Sequence, residues 1–301
     1  DMLQALLRKL ELQSEASVIP GKRYHNRRDL MGFPDFGRTD LVHPVQKPLT
    51  HPRLKAATSV MNAIDDGDIL LHYPYHKFVH VVDLLREAAI DPSVRTIQIN
   101  LYRVAKNSLV INALINAAHN GKHVEVVVEL AARFDEKQNI RISNMLKEAG
   151  VVVRFGIPKL KVHAKLILIT RKHQGRVRRY AHIGTGNFHE KSAGVYEDLS
   201  LLTAHSDLTK EVAKIFDFFE SSFERKQYKL LFVSPFTNRR RFMNLINEEM
   251  KRAKAGKEAW IRLKLNNLVD TGMIDKLYRA SAAGVRIQLV VRGICVLKAG
   301  V

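Results

Sequence analysis

Residues 96–130, TIQINLYRVAKNSLVINALINAAHNGKHVEVVVEL, carry the reading of the fold. Thr96–Tyr102 is a short strand-like run, alternating in its first half and rich in β-formers. Leu109–His119 repeats apolar residues at helical spacing. It stops before Gly121, a residue suited to the left-handed turn that closes a helix. Val124–Leu130 is again a buried-strand run. Strand, helix and strand in succession argue for an α/β sheet domain.

The same alternation extends both ways. Asp68–Pro74 reads as a strand and Phe78–Ala89 as a helix, with Val81, Leu84, Leu85 and Ala88 on one stripe. Ile140–Ala149 reads as a helix closed by Gly150, Val151–Phe155 and Val162–Ile169 as strands, and Leu208–Phe223 as a closing helix. Further on, Ile261–Val291 repeats the opening stretch. Gly121 matches Gly284, Leu114 matches Leu277 and Val124–Val128 match Ile287–Val291 at one offset, and Leu101 matches Leu265 one residue out of step. Two related domains is the economical reading. Residues 1–50, with prolines at 20, 34, 44 and 48, read as irregular. The expected organisation is therefore 1–46 as the tail of an upstream domain and a linker, 47–228 as a first catalytic domain, and 229–301 as the start of a second, truncated one.

The chain has 301 residues and a net charge of +19, with 46% hydrophobic residues. That composition is globular and excludes a disordered basic tail. No apolar run reaches the roughly 18 residues that a membrane span needs. The single cysteine, Cys295, excludes a disulfide framework and fits a reducing, cytoplasmic compartment. The excess charge calls for a polyanionic partner. It is concentrated: residues 151–200 hold ten basic and three acidic side chains, and residues 251–301 hold eleven and three. These blocks read as two walls around phosphate. Aromatic residues make up 7% and do not alternate with the basic ones, which counts against a nucleic-acid platform.

The chemistry is sharpest in Lys159-Leu-Lys-Val-His-Ala-Lys165. On a strand, Lys161, His163 and Lys165 share one face. Flanking like charge disfavours the imidazolium, so His163 stays neutral near pH 7 and is available as a nucleophile toward phosphorus. The lysines would hold the phosphate oxygens. Eighteen residues later comes Ala181-His-Ile-Gly-Thr-Gly-Asn187, a turn offering backbone N–H groups, the Thr185 hydroxyl and the Asn187 amide.

H-x-K followed by G-x-x-N resembles the signature of the phospholipase D-like fold, a mixed sheet flanked by helices and normally duplicated. Here Thr170 stands where that signature has aspartate. Tyr24–Asp35, HYPYH (72–76), LYRVAKNS (101–108), ELAARFDE (129–136), KVHAKL, RYAHIGTGNFHEK, YEDLSLLT (196–203) and KLNNLVD (264–270) are similar to bacterial polyphosphate kinase, in register from about residue 18 onward. The resemblance implies reversible transfer of the ATP γ-phosphate to inorganic polyphosphate through a phosphohistidine at His163, with Lys165 assisting. It implies that Tyr196 and Arg292 contact ATP, that Lys161, Thr185 and Asn187 bind phosphate, and that Arg103 and Arg133 belong to a Mg²⁺–phosphate site. A guanidinium has no free lone pair, so these arginines read better as phosphate clamps beside the ion. ATP or ADP and polyphosphate would be the partners, not nucleic acid, in a homo-oligomeric protein with peripheral membrane association. The repeat puts the counterpart of His163 near position 326, so this chain alone is expected to be inactive or nearly so. The alternatives are a phospholipase D-like phosphodiesterase or nuclease and a non-enzymatic polyanion-binding module.

Overall fold

A computed structural model describes residues 2–11, 32–34, 36–44, 46–105, 107–129, 136–173, 175–222 and 226–300. Most of the Tyr24–Asp35 motif and the Leu130–Asp135 part of ELAARFDE, with Arg133, lie outside these residues. The chain divides into two compact units, Asp1–Lys47 and Pro48–Val301. In the first, helix α1 (Met2–Lys9) buries Leu7, and Thr39–Leu41 form a 3-10 turn.

The second unit is built on a seven-stranded mixed sheet. Its strands are β1 (Ile69–Tyr73), β2 (Val94–Leu101), β3 (His123–Val128), β4 (Val152–Phe155), β5 (Leu166–His173), β6 (Arg176–Gly184) and β7 (Asp198–Thr203), and α2 (Pro52–Lys55), α3 (Val60–Asp65), α6 (Glu136–Glu148) and α7 (Glu190–Ala193) are among the helices that connect them. Their spatial order is β1-β7-β6-β5-β2-β3-β4. β2, β3 and β4 run parallel; β5 lies antiparallel to β2, and β5 to β7 and β1 continue antiparallel. Side-chain alternation sorts two cores. Ile97, Ile99, Val124, Val126, Ile167 and Ile169 face α4 (Val79–Ile90) and α5 (Leu109–His119), while Leu168 and Ala181 face α8 (Ser206–Glu220) through Val212 and Phe216.

A second sheet holds β8 (Trp260–Leu265) and β9 (Arg286–Val291), parallel and joined by α10 (Thr271–Ala282), with α9 (Asn238–Lys254) against its core. The duplication is visible in the register: Ile97 pairs with Val124, and Ile261 with Ile287. The one-residue step in the sequence match is taken up by the loop after the first strand. Both helices also end alike. The Lys122 and Val285 N–H groups reach back to Ala117 and Ala280, around Gly121 (φ 74°) and Gly284 (φ 92°).

Two expectations need correction. The strand expected over Val162–Ile169 begins only at Leu166, so the H-x-K segment is a strap leading into β5. Of the ten cations in 151–200, five (Arg171, Lys172, Arg176, Arg178 and Arg179) lie on the β5–β6 hairpin, at the strand ends remote from His163. That block is therefore not one wall around a site.

Candidate functional site

The parallel strands β2 and β3 deliver their C-terminal ends to one edge of the sheet, where α/β folds place their sites. The strap 161–165 crosses this edge and is pinned at three places. The Val162 N–H donates to Glu129 Oε2 at 2.8 Å. The fully buried Asn100 side chain donates to the Ala164 carbonyl and accepts from the Leu166 N–H at 2.8 Å. The Gly184 N–H donates to the Lys165 carbonyl at 2.9 Å.

Held this way, the strap exposes His163 and buries Lys165, which is 4% exposed. Lys165 Nζ lies 3.1 Å from His163 Nδ1 and also donates to the His163 carbonyl. Tyr102 is the hub. Its ring meets the His163 ring edge-on at 4.7 Å, and the Lys165, Lys161 and Arg103 cations lie 5.2, 5.3 and 5.7 Å from its centroid. The three strap residues therefore do converge, around an aromatic ring rather than along a strand face.

Desolvation, then Lys165, Lys161 and Arg103, hold the His163 imidazole below its ordinary value, against a weaker pull from Glu129. Burial is thus the largest single cause, ahead of either flanking lysine. The same burial pushes Lys165 down to about 8, with Asp198 acting in the opposite sense. A neutral imidazole beside cations can attack an electrophilic phosphorus while its oxygens are held.

The Gly-Thr-Gly turn works differently from the expected phosphate cradle. Its Gly184 and Thr185 N–H groups bond to the Lys165 and Leu199 carbonyls, and the Thr185 hydroxyl donates to Asp198 Oδ1 while accepting from the Leu199 N–H. The glycines make room. A Cβ on Gly184 would lie 2.5 Å from His182 Cε1, and one on Gly186 would lie 2.7 Å from Asp198 Oδ2. His182 is buried against Phe188 and bonded to Ser200 Oγ at 2.8 Å; burial holds it down at about 4. Asn187 Oδ1 is buried without a protein partner behind the turn, in the small cavity that Asp198 also lines.

Tyr196 is 55% exposed at the start of the β7 approach. The adjacent Glu197 accepts from His72 at 3.2 Å and from Lys264 of β8 at 2.7 Å. Arg292 is exposed at the end of β9, and among the described residues no contact joins it to the strap. Behind the strap lies a mainly apolar cavity of about 610 Å³, walled by Ile215, Phe218, Tyr228 and Phe232. Sequence reasoning missed Tyr102, Asn100, Glu129 and Asp198. Asn100 and Glu129 carried a signal, a polar residue inside or directly after an apolar strand run; Tyr102 carried none.

For Mg²⁺, among the described residues no group of three or more His, Cys, Asp or Glu side chains could hold an ion. The nearest carboxylates, Glu129 and Asp198, each already accept a hydrogen bond. Among the described residues there is thus no ready-made carboxylate cluster for magnesium, and no step below is routed through a protein-held ion.

The site defines an α/β domain with a histidine of lowered pKa set among lysine and arginine cations. The polyphosphate kinase C-terminal domain 1 family matches residues 59–226, and the C-terminal domain 2 family matches residues 231–301. The chain belongs to the polyphosphate kinase family. It is 51% identical over 300 residues to a polyphosphate kinase of Vibrio cholerae and 49% identical over 298 residues to that of Escherichia coli K12. All of this chain is covered in the first comparison and 98% in the second, but it spans only 43% of each relative's length. The crystal structure of polyphosphate kinase from Porphyromonas gingivalis superposes with a TM-score of 0.83 at 39% identity, covering 98% of this chain and 48% of that one. Among the described residues no helix is long and apolar enough to cross a membrane.

Proposed function

We propose that this chain carries the phosphohistidine half-site of an enzyme that transfers the γ-phosphate of ATP reversibly to inorganic polyphosphate. The observation that supports this best is the pinned strap, which presents a neutral His163 beside a buried lysine, in a family whose relatives are named polyphosphate kinase.

His163 Nδ1 faces Lys165, so Nε2 is the nitrogen open to substrate. Attack by Nε2 requires the ring proton on Nδ1, which a lysine ammonium opposes by donating there. Lys165 therefore exchanges Nδ1 for an incoming phosphate oxygen. The N–P bond then forms as the bond from phosphorus to the ADP oxygen breaks, and polyphosphate takes the group from His163 in the second step. Lys161 and Arg103 hold the oxygens that gain charge. Arg133, Arg292 and Tyr196 are proposed to complete the nucleotide and phosphate contacts, and Mg²⁺ to arrive bound to nucleotide phosphates rather than on a carboxylate cluster. The complete cycle is assigned to a polypeptide of the relatives' full length; the 301-residue chain alone is proposed to be nearly inactive as a polymerase.

The test is labelling with γ-³²P-ATP in such a full-length polypeptide. The reading expects an acid-labile, base-stable phosphoenzyme that disappears in His163→Ala. Label retained by the mutant removes His163 as nucleophile, and phosphodiester hydrolysis without ATP overturns the reaction class.

A further inference from the structure

We propose that the β5–β6 hairpin is a second polyanion-binding surface that holds a distal stretch of a long inorganic polyphosphate chain. This deepens the reading above and rests on it for the identity of the polymer.

The hairpin carries Arg171, Lys172, Arg176, Arg178 and Arg179 and no acidic residue. Its register sets Arg171 directly opposite Arg178 across the ladder. Directly opposed like charges destabilise a sheet unless each is neutralised. Two of the cations have local partners: Arg171 with Asp91 at 2.9 Å, and Arg178 with Asp65 at 2.6 Å. Lys172, Arg176 and Arg179 have no acidic partner among the described residues, and exposed Arg95 lies beside them where β2 meets β5. Lys172 and Arg179 project from one face of the ladder and Arg176 from the other, so cations flank the hairpin on both sides.

The position limits what these charges can do. The hairpin tip is about 25 Å from the strap, at roughly 3.3 Å per residue along β5. A nucleotide triphosphate cannot touch both, whereas a long phosphate polymer can. The partner's chemistry is narrowed by what the hairpin lacks. Among its described side chains the aromatic rings, Tyr180 and His182, are buried and offer bases no surface to stack on, and Val177 is the one exposed large apolar residue, too little to enter a lipid surface. Closely spaced cations without stacking or apolar anchors fit a polymer that is phosphate throughout.

The experiment compares the unaltered chain with a Lys172→Gln/Arg176→Gln/Arg179→Gln variant, the first two positions exposed and the third half-buried, after thermal unfolding shows both folded. Binding of long-chain inorganic polyphosphate and of inorganic tripolyphosphate is measured across a salt series. The expected result is at least a tenfold loss of long-chain affinity, a salt slope shallower by about 2, and unchanged tripolyphosphate binding. Arg176→Lys/Arg179→Lys should keep most of the long-chain affinity. Equal affinity and slope in the Gln variant overturn the proposal, as does absence of long-chain binding by the unaltered chain. A loss seen only toward DNA or anionic phosphatidylserine vesicles also overturns it. Phosphohistidine labelling is read separately on the full-length polypeptide with and without the same substitutions. Absent labelling in both counts against the enzymatic reading, whereas normal labelling with unchanged long-chain binding counts against the hairpin alone.

Discussion

The β2–α5–β3 and β8–α10–β9 units are the same piece of architecture put to different use. They share strand pairing, helix length within one residue and the same glycine-closed helix end. Even the bond that ends each sheet is shared: the Glu129 N–H donates to Leu101, and the Arg292 N–H donates to Leu265. Yet at that equivalent position the first unit has a buried carboxylate that pins the strap, and the second has an exposed arginine. Tyr102 and Arg103 correspond to Asn266 and Asn267. The repeat supplies a scaffold, and the site is a matter of which side chains stand at the strand ends.

The most severe way to break this comparison is to make the first unit copy the second. Glu129→Arg removes the acceptor for the Val162 N–H and puts a buried cation where a carboxylate now acts on His163. It should cost about 3–5 kcal/mol and abolish labelling of His163. Arg292→Glu, the reverse change, should leave thermal unfolding almost unaltered. Near-equal stability losses from the two substitutions would show that the strap does not depend on Glu129.

Acid provides a contrast of similar kind. All thirteen histidines precede residue 206, so the second sheet has none. His182 is held at about 4 by burial, below its ordinary 6.5. A depressed folded-state value means that the unfolded chain takes up the proton first. Its contribution is complete above about pH 6.5 and is lost as pH falls toward 4, on the order of 3 kcal/mol. His51 and His80 are lowered in the same sense, chiefly by burial, and His80 Nε2 accepts the His51 N–H, which protonation would break. Hydrogen exchange should show β6 and β7 losing protection between pH 6.5 and 4 while β8 and β9 keep theirs. Parallel loss in both sheets would mean that the histidines are not the cause.

Much of this was legible in the sequence because it is periodic. β-branched runs and the helical stripe gave Leu109–His119 its observed limits, and the self-match at Gly121 and Gly284 anticipated equivalent helix ends. What stayed hidden was contact across sequence. Nothing local to KVHAKL says that the strand starts only at Leu166, because that start depends on Asn100, some 60 residues away. The Gly-Thr-Gly turn looked like a phosphate cradle because its glycines were read for their backbone. Their reason is spatial, room for His182 and Asp198. Likewise the charge count could not tell cations near His163 from those at the opposite end of β5.

Asn100 offers a smaller test of the same scaffold. Asn100→Ala removes both bonds from a fully buried side chain to the strap and should cost about 2 kcal/mol. Labelling should fall because the strap loosens, while Asn100→Asp, which still accepts from the Leu166 N–H, should recover part of the stability. Full labelling in the Ala variant would mean that Gly184 and Glu129 suffice as anchors.

The gentlest test asks whether the two units are equivalent where they look most alike. Gly121 has nothing within 4 Å of a would-be Cβ, and Gly284 meets only Ala253 Cβ at 3.9 Å, an ordinary contact. Alanine at either position therefore clashes with nothing, and its cost is the left-handed backbone alone, about 1 kcal/mol in each unit. Amide exchange of α5 in Gly121→Ala and of α10 in Gly284→Ala should quicken by the same factor, roughly fivefold for such a change. The geometry around the two glycines leaves no other source of difference. A larger effect in α5 would therefore come from its neighbours, because the Glu190 carboxylate accepts the Leu109 N–H at 2.9 Å and ties the start of that helix to the segment just after the Gly-Thr-Gly turn. Such an asymmetry would show the first unit's helix coupled to the site, and equal factors would show both helix ends acting as plain scaffold.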